Sequence, residues 1–315
     1  MSGWIKESIW RDECLTRPLT QAVLTHYANQ TSGAKVFATY KPMKLSLNGA
    51  TTMKADLATD VRAAAAAGFD YLEIRAAKLR EFLKTHSVSD LKALFDQSGV
   101  KPLSINSIEY VTFRDPSAYA QIRTECEELC AIAQAIACPY VVVVPGKFPP
   151  GGLSSYEVIE ETVSVLRELA SIAERHGVAL AFEFLGQRDC SVQTLELADE
   201  IVQKVNRRNI GLVIDSFHFY VGCSTIKMIE ALDPKRLFIF HINDAEDLPL
   251  DQLTDANRLL PGLGILKLKE MIEAFKQIGY DQVASVEIFR PEYWERDPFE
   301  LARDAKAAME KVLQL

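Results

Sequence analysis

From Met43 onward the chain alternates between short β-rich runs and longer stretches whose apolar positions recur at three and four. The short runs predict strands over Lys44–Leu47, Tyr71–Ile74, Pro102–Ile105, Tyr140–Val144, Ala179–Phe184, Gly211–Ile214, Leu237–Ile242 and Ser285–Phe289. Their spacing of roughly 25–45 residues leaves room for a helix after each strand. DLATDVRAAAAAGF, SYEVIEETVSVLRELASIAERHG and LKLKEMIEAFKQIG carry the helical period and stop at Gly68, Gly177 and Gly279. Those glycines suit the turn from a helix into the next strand. Eight such units predict one α/β domain over residues 43–315, a (β/α)8 TIM barrel. The alternative is an open doubly wound sheet, which should carry a glycine-rich phosphate loop after its first strand; here that turn reads NGATT. Residues 1–42 show no sustained period and read as an N-terminal extension of unknown role.

A barrel of this kind does its chemistry at the C-terminal ends of its strands. Four successive ends carry a charged or imidazole side chain within an apolar run: Glu183 in ALAFEFLG, Asp215 in GLVIDSFHF, His241 in LFIFHINDAED and Glu287 in SVEIFRPEYW. Any one of them alone reads as a buried, satisfied polar residue. Three carboxylates converging on one cavity need a counter-charge, and a divalent metal ion supplies one. One imidazole and three carboxylates form a mainly oxygen donor set, suited to Zn, Mn, Co or Mg; a structural zinc site would favour cysteine. His218, Arg290, Asn106 and Lys147 lie close to strand ends and read as candidate substrate-binding groups, with Asn48, Glu73 and Asp244 as further polar residues near the same level.

Composition narrows the partners. The chain has 43 acidic against 35 basic residues, so a broad nucleic-acid footprint is not expected. The stretch from Ala131 to Val144 is the longest apolar one, and Gln134 and Pro139 break it, so no transmembrane helix is expected. The first residues lack the apolar core of a signal peptide, and six cysteines without a CxxC pair fit a reducing, cytoplasmic setting. Cys126 and Cys130 fall four apart on a predicted helix and read as buried or half-buried thiols rather than ligands. The composition says nothing of oligomeric state.

The pattern E…DSFH…HIND…PGxG…VE resembles the xylose-isomerase-like barrels, which include sugar isomerases and epimerases, inosose dehydratases and a DNA-repair endonuclease. MKLSLNGATT, GFDYLEIR, FHINDAEDLP, LTDANRLLPGLG and SVEIFRPEYW are closer to the inosose isomerases within that family. The similarity extends to stretches to which no chemistry is assigned, such as LTDANR. It departs at Leu263, where the family often has a polar residue between the two glycines. The resemblance implies that Glu183, Asp215, His241 and Glu287 hold one divalent metal ion. It also implies an isomerase acting on a polyol ketone, a cyclic α-hydroxyketone of the 2-keto-myo-inositol type. Glu183 and Glu287 would then be the acid/base pair. Dehydration, 3-epimerisation of an open-chain ketose and sugar binding without catalysis are the alternatives on the same scaffold.

Overall fold

The computed structural model describes residues 41–314. The predicted extension therefore lies, apart from Lys41 and Pro42, outside the described residues. In chain order the elements are β1 (Lys44–Asn48), α1 (Leu57–Ala67), β2 (Tyr71–Arg75), α2 (Ala76–Leu83), α3 (Val88–Ser98) and β3 (Lys101–Ile108). There follow α4 (Pro116–Ala135), β4 (Tyr140–Val143), α5 (Ser155–Arg175), β5 (Ala179–Glu183), α6 (Leu195–Val205), β6 (Ile210–Asp215), α7 (Ser216–Val221), α8 (Ile226–Glu230) and β7 (Leu237–Ile242). The last part holds β8 (Asp244–Ala245), β9 (Arg258–Leu259), α9 (Leu268–Ile278), β10 (Val283–Val286), α10 (Pro291–Trp294) and α11 (Pro298–Leu313). Strands β1 to β7 and β10 close a parallel barrel in the order β1-β10-β7-β6-β5-β4-β3-β2. β8 and β9 form a separate two-residue antiparallel pair in the long connection after β7.

Local chemistry accounts for the helix limits. Asp56 caps α1 by accepting from the Thr59 amide, and Ser154 with Glu157 forms a reciprocal capping box on α5. Gly68 and Gly279 end α1 and α9 with φ near 80°, a left-handed turn that a side chain resists. The apolar stripe of α5 (Val158, Val163, Leu166, Leu169, Ala173) faces the outside of the barrel. Each of its valine and leucine side chains contributes about 1.5–3 kcal/mol on burial. Cys126 and Cys130 lie buried on α4 with Sγ atoms 3.9 Å apart.

Side chains two apart on a strand share a face. Ala181, Val213 and Ile239, part of the apolar filling of the barrel, therefore lie directly below Glu183, Asp215 and His241. That filling raises the polar layer to the open end of the strands. The predicted eighth strand differs from the observed one: β10 ends at Val286, not Phe289. Its pairings stop at Leu47 on β1, one residue short of that strand's end, and at Ile242, the last residue of β7.

Candidate active site and metal centre

Glu183 ends β5, Asp215 ends β6, His241 is the penultimate residue of β7, and Glu287 follows β10 directly. All four are buried, and each offers one donor atom within 4.8 Å of the others. The His241 Nδ1 lies 3.0 Å from Glu183 Oε1 and 3.4 Å from Glu287 Oε2. Its Nε2 is 2.9 Å from Glu73 Oε1, an ion-pair distance, although the N–H is not aimed along a hydrogen bond. Asp215 has two duties. Its Oδ1 caps α7 by accepting from the His218 amide, and its Oδ2 accepts from Asn243 Nδ2 at 2.8 Å.

Arg258 completes the centre. Its Nη1 donates to Asp215 Oδ2 at 2.8 Å and to Glu287 Oε2 at 3.2 Å, and its Nη2 donates to Asp255 at 2.7 Å. The guanidinium lies over the rings of Phe217 and Phe289, at 5.0 and 5.2 Å. Nη2 also sits 3.0 Å from His218 Nε2, which fixes that nitrogen as the acceptor. The proton of His218 is thereby assigned to Nδ1, a buried atom with no hydrogen-bond partner among the described residues.

The acids are unequal. Burial pushes the Glu183 carboxyl up to about 7, against the opposing pull of His241. Burial would raise Glu287 too, but His241, Arg258 and Arg75 overcome it and hold that carboxyl far below the usual range. Burial alone would lower the imidazolium of His241, yet Glu73, Glu287 and Glu183 raise it well above its ordinary value. His218 is lowered, chiefly by burial.

One imidazole nitrogen and three carboxylates, without a thiolate, suit a hard or borderline divalent ion. A carboxylate behind the remote nitrogen of His241 is the usual support for a metal-binding histidine. The residues therefore fit a divalent metal ion. Residues 61–312 match the model of the xylose isomerase-like TIM barrel. The chain belongs to that family. The inosose isomerase of Bacillus velezensis is 40% identical over 273 residues, covering 86% of this chain and 97% of the relative. The inosose isomerase of Bacillus subtilis is 41% identical over 266 residues, covering 84% and 95%. A crystal structure of the IolI protein with a bound zinc atom is 40% identical, with a TM-score of 0.84, covering 86% of this chain and 98% of that one. Among the described residues, no helix is long and apolar enough to cross a membrane.

This xylose isomerase-like barrel treats the other sequence-predicted residues differently. His218 and Asn106 reach the centre. Asn106 Nδ2 donates to Glu287 Oε1 at 3.2 Å, and its Oδ1 accepts from Arg75 Nη1 at 3.0 Å. Arg290 remains on the rim, bound to Glu246 at 2.7 Å and to Glu292 at 3.3 Å. Lys147 points away: it pairs with Asp189 at 2.7 Å in an exposed contact, because the chain after β4 turns toward the loop after β5. Asp244 acts within its own loop, accepting from the amides of Ala245, Gly262 and Leu266. The loop closes so tightly that a Cβ on Gly264 would lie 2.1 Å from the Ala245 carbonyl oxygen.

The LTDANR stretch, to which the sequence reading assigned no chemistry, supplies Arg258, the buried cation of the centre. Glu73 and Asn48 likewise prove central. Asn48 Nδ2 lies 3.0 Å from Glu287 Oε1 and 3.2 Å from Glu73 Oε1, and Ser104 donates to Glu73 Oε2 at 2.6 Å.

Proposed function

We propose that this isomerase of the xylose isomerase-like family converts one inosose into another by moving a carbonyl to the adjacent ring carbon, as 2-keto-myo-inositol to 1-keto-D-chiro-inositol. The observation that carries the reading is the buried Glu183–Asp215–His241–Glu287 cluster in a chain about 40% identical to inosose isomerases over 86% of its length. These four residues would hold the ion, which we take to be Zn, Mn or Co, with Mg as the remaining candidate. When bound, the ion would offset negative charge developing on neighbouring substrate oxygens.

The chain's own residues would move the proton. Glu183 and Glu287, which reach the site from different strands, are assigned as the acid/base pair: one takes the proton from the hydroxyl-bearing carbon. The other returns a proton to the former carbonyl carbon, and the hydroxyl proton passes to the former carbonyl oxygen, so that the isomerisation balances. The orphan Nδ1–H of His218 is assigned to donate to a substrate oxygen, with the positive charge of Arg258 beside it. The reaction is a net isomerisation, so no redox partner is required.

The test is incubation with 2-keto-myo-inositol in D2O with each candidate ion, followed by NMR. The expected product is an isomeric inosose carrying solvent deuterium. Loss of water, or turnover of open-chain ketoses alone, would replace the reading with a dehydratase or an epimerase. Glu183→Gln and Glu287→Gln should each slow exchange about 100- to 10,000-fold, and undiminished exchange in both would sink the acid/base assignment.

A further inference from the structure

The turn that follows Asn48, the last residue of β1, reads Gly49-Ala50-Thr51-Thr52; a nucleotide-binding sheet would place its phosphate loop here, and the turn lacks that signature. Its side chains point to a different task. Glu287 is unlike the other three donors: Glu183, Asp215 and His241 lie within paired strands, and Glu287 lies one residue past the end of its own. Its backbone needs another support.

The Thr51 hydroxyl provides it. Thr51 Oγ1 donates to the Val286 carbonyl oxygen at 3.0 Å and accepts from the Ile288 amide at 3.2 Å. These two bonds bracket Glu287 on both sides, so one hydroxyl holds the backbone where the ladder pairing stops. Thr51 is fully buried. The turn that carries it is held in turn. The Ala50 amide donates to Asn48 Oδ1, and the Ala50 carbonyl accepts from the Trp294 indole at 3.0 Å. Thr52 is tied to the buried Asp60 at 2.7 Å, and Lys78 bonds both Asp60 and the Thr52 carbonyl. Asn48, just before the turn, holds the Glu287 carboxylate itself.

We infer that Thr51 is a positioning residue for Glu287: its hydroxyl sets the backbone from which the carboxylate reaches the site. The inference concerns the bracketing of Glu287, and its catalytic meaning rests on the function proposed above. A conserved volume without the hydroxyl should leave the fold intact and let Glu287 shift.

The experiment compares Thr51→Val and Thr51→Ser in the full chain. Thr51→Val should lower kcat about 10- to 100-fold, the cost of a misplacement of around 1 Å, with KM changed by less than about 3-fold. Thr51→Ser, which restores the hydroxyl, should recover most of that loss. Independently of any substrate, amide hydrogen exchange at Ile288 should speed up in Thr51→Val and not in Thr51→Ser, with Val283–Val286 still protected. Zinc affinity measured by titration should fall about 10-fold in Thr51→Val, as it does when the support of a metal ligand is lost. A folded Thr51→Val protein with native exchange at Ile288 and native zinc affinity overturns the inference. So does a Thr51→Ser protein as impaired as Thr51→Val. If the native chain converts no inosose, the functional reading has failed, and the exchange and zinc measurements still decide the role of Thr51.

Discussion

The two sides of the site are built in different ways. On the β5–β7 side, Glu183 pairs in register with Val213, and Asp215 with His241. There the ladder places the side chains, and their positions follow from the sheet. On the β10–β1 side, Glu287 stands beyond the ladder and is gripped by Asn48, Asn106, Arg258 and the Thr51 bracket. A substitution on the first side removes a donor and leaves a frame. A substitution among the holders on the second side keeps the donor and releases it. Placement by backbone register resists mutation, whereas placement by side chains can be adjusted one residue at a time.

Arg258 offers the hardest test of this contrast, because it joins both sides. Arg258→Met leaves Asp215 and Glu287 buried without their shared counter-charge. Breaking a buried pair in this way costs about 3–5 kcal/mol. Denaturant unfolding without added metal should show that loss, and a saturating divalent ion should restore part of it. An unchanged unfolding curve would mean that the β10 side does not depend on its side-chain grip.

The support of the β1 turn has a pH dependence of its own. Burial pushes Asp60 up to about 7 and Lys78 down, so for this pair burial outweighs the attraction across 2.6 Å. A carboxyl whose folded pKa lies above its unfolded value contributes stability at low pH and loses it as pH rises from about 4 through about 7. Asp60→Asn removes that titration. The stability difference between native and variant proteins should shift by about 4 kcal/mol between pH 4 and 8, at roughly 1.4 kcal/mol per pKa unit. A constant difference from pH 4 to 8 would remove Asp60 as the source.

Glu73 probes the smallest effect, since it touches both sides without being a donor in the cluster. It faces His241 and accepts from Asn48 and Ser104. Glu73→Gln keeps the shape and removes the charge behind the imidazole. Zinc affinity should fall about 10- to 100-fold by calorimetric titration. Native affinity would show that Glu183 and Glu287 orient His241 without help.

The contrast also explains which features were legible in the sequence. The strands, the glycine-terminated helices and the four cluster residues were visible because each interrupts or sustains a period. Glu183, Asp215, His241 and Glu287 are polar residues in apolar runs, and burial leaves that mark. Arg258 carries no such mark. It lies in LTDANR, a polar loop in which a buried arginine and an exposed one look alike, and only the fold brings it 2.8 Å from Asp215. Lys147 and Arg290 follow strands closely enough to suggest a role, but loop direction decides where such side chains point, and the sequence pattern does not encode it. The early end of β10 was hidden for the same reason: Ile288 and Phe289 extend the apolar run after the neighbouring strands have gone.

The Thr51 bracket has a consequence for biosynthesis. Thr51 and Val286 are 235 positions apart, and Asn48 and Glu287 are 239 apart. The β1–β10 seam joins the first barrel strand to leave the ribosome to the last. A nascent chain can assemble the Glu183, Asp215 and His241 donors before Glu287 exists. It can seat the fourth donor only when that seam closes. If the four residues hold a metal ion as proposed, full binding would therefore require a closed barrel.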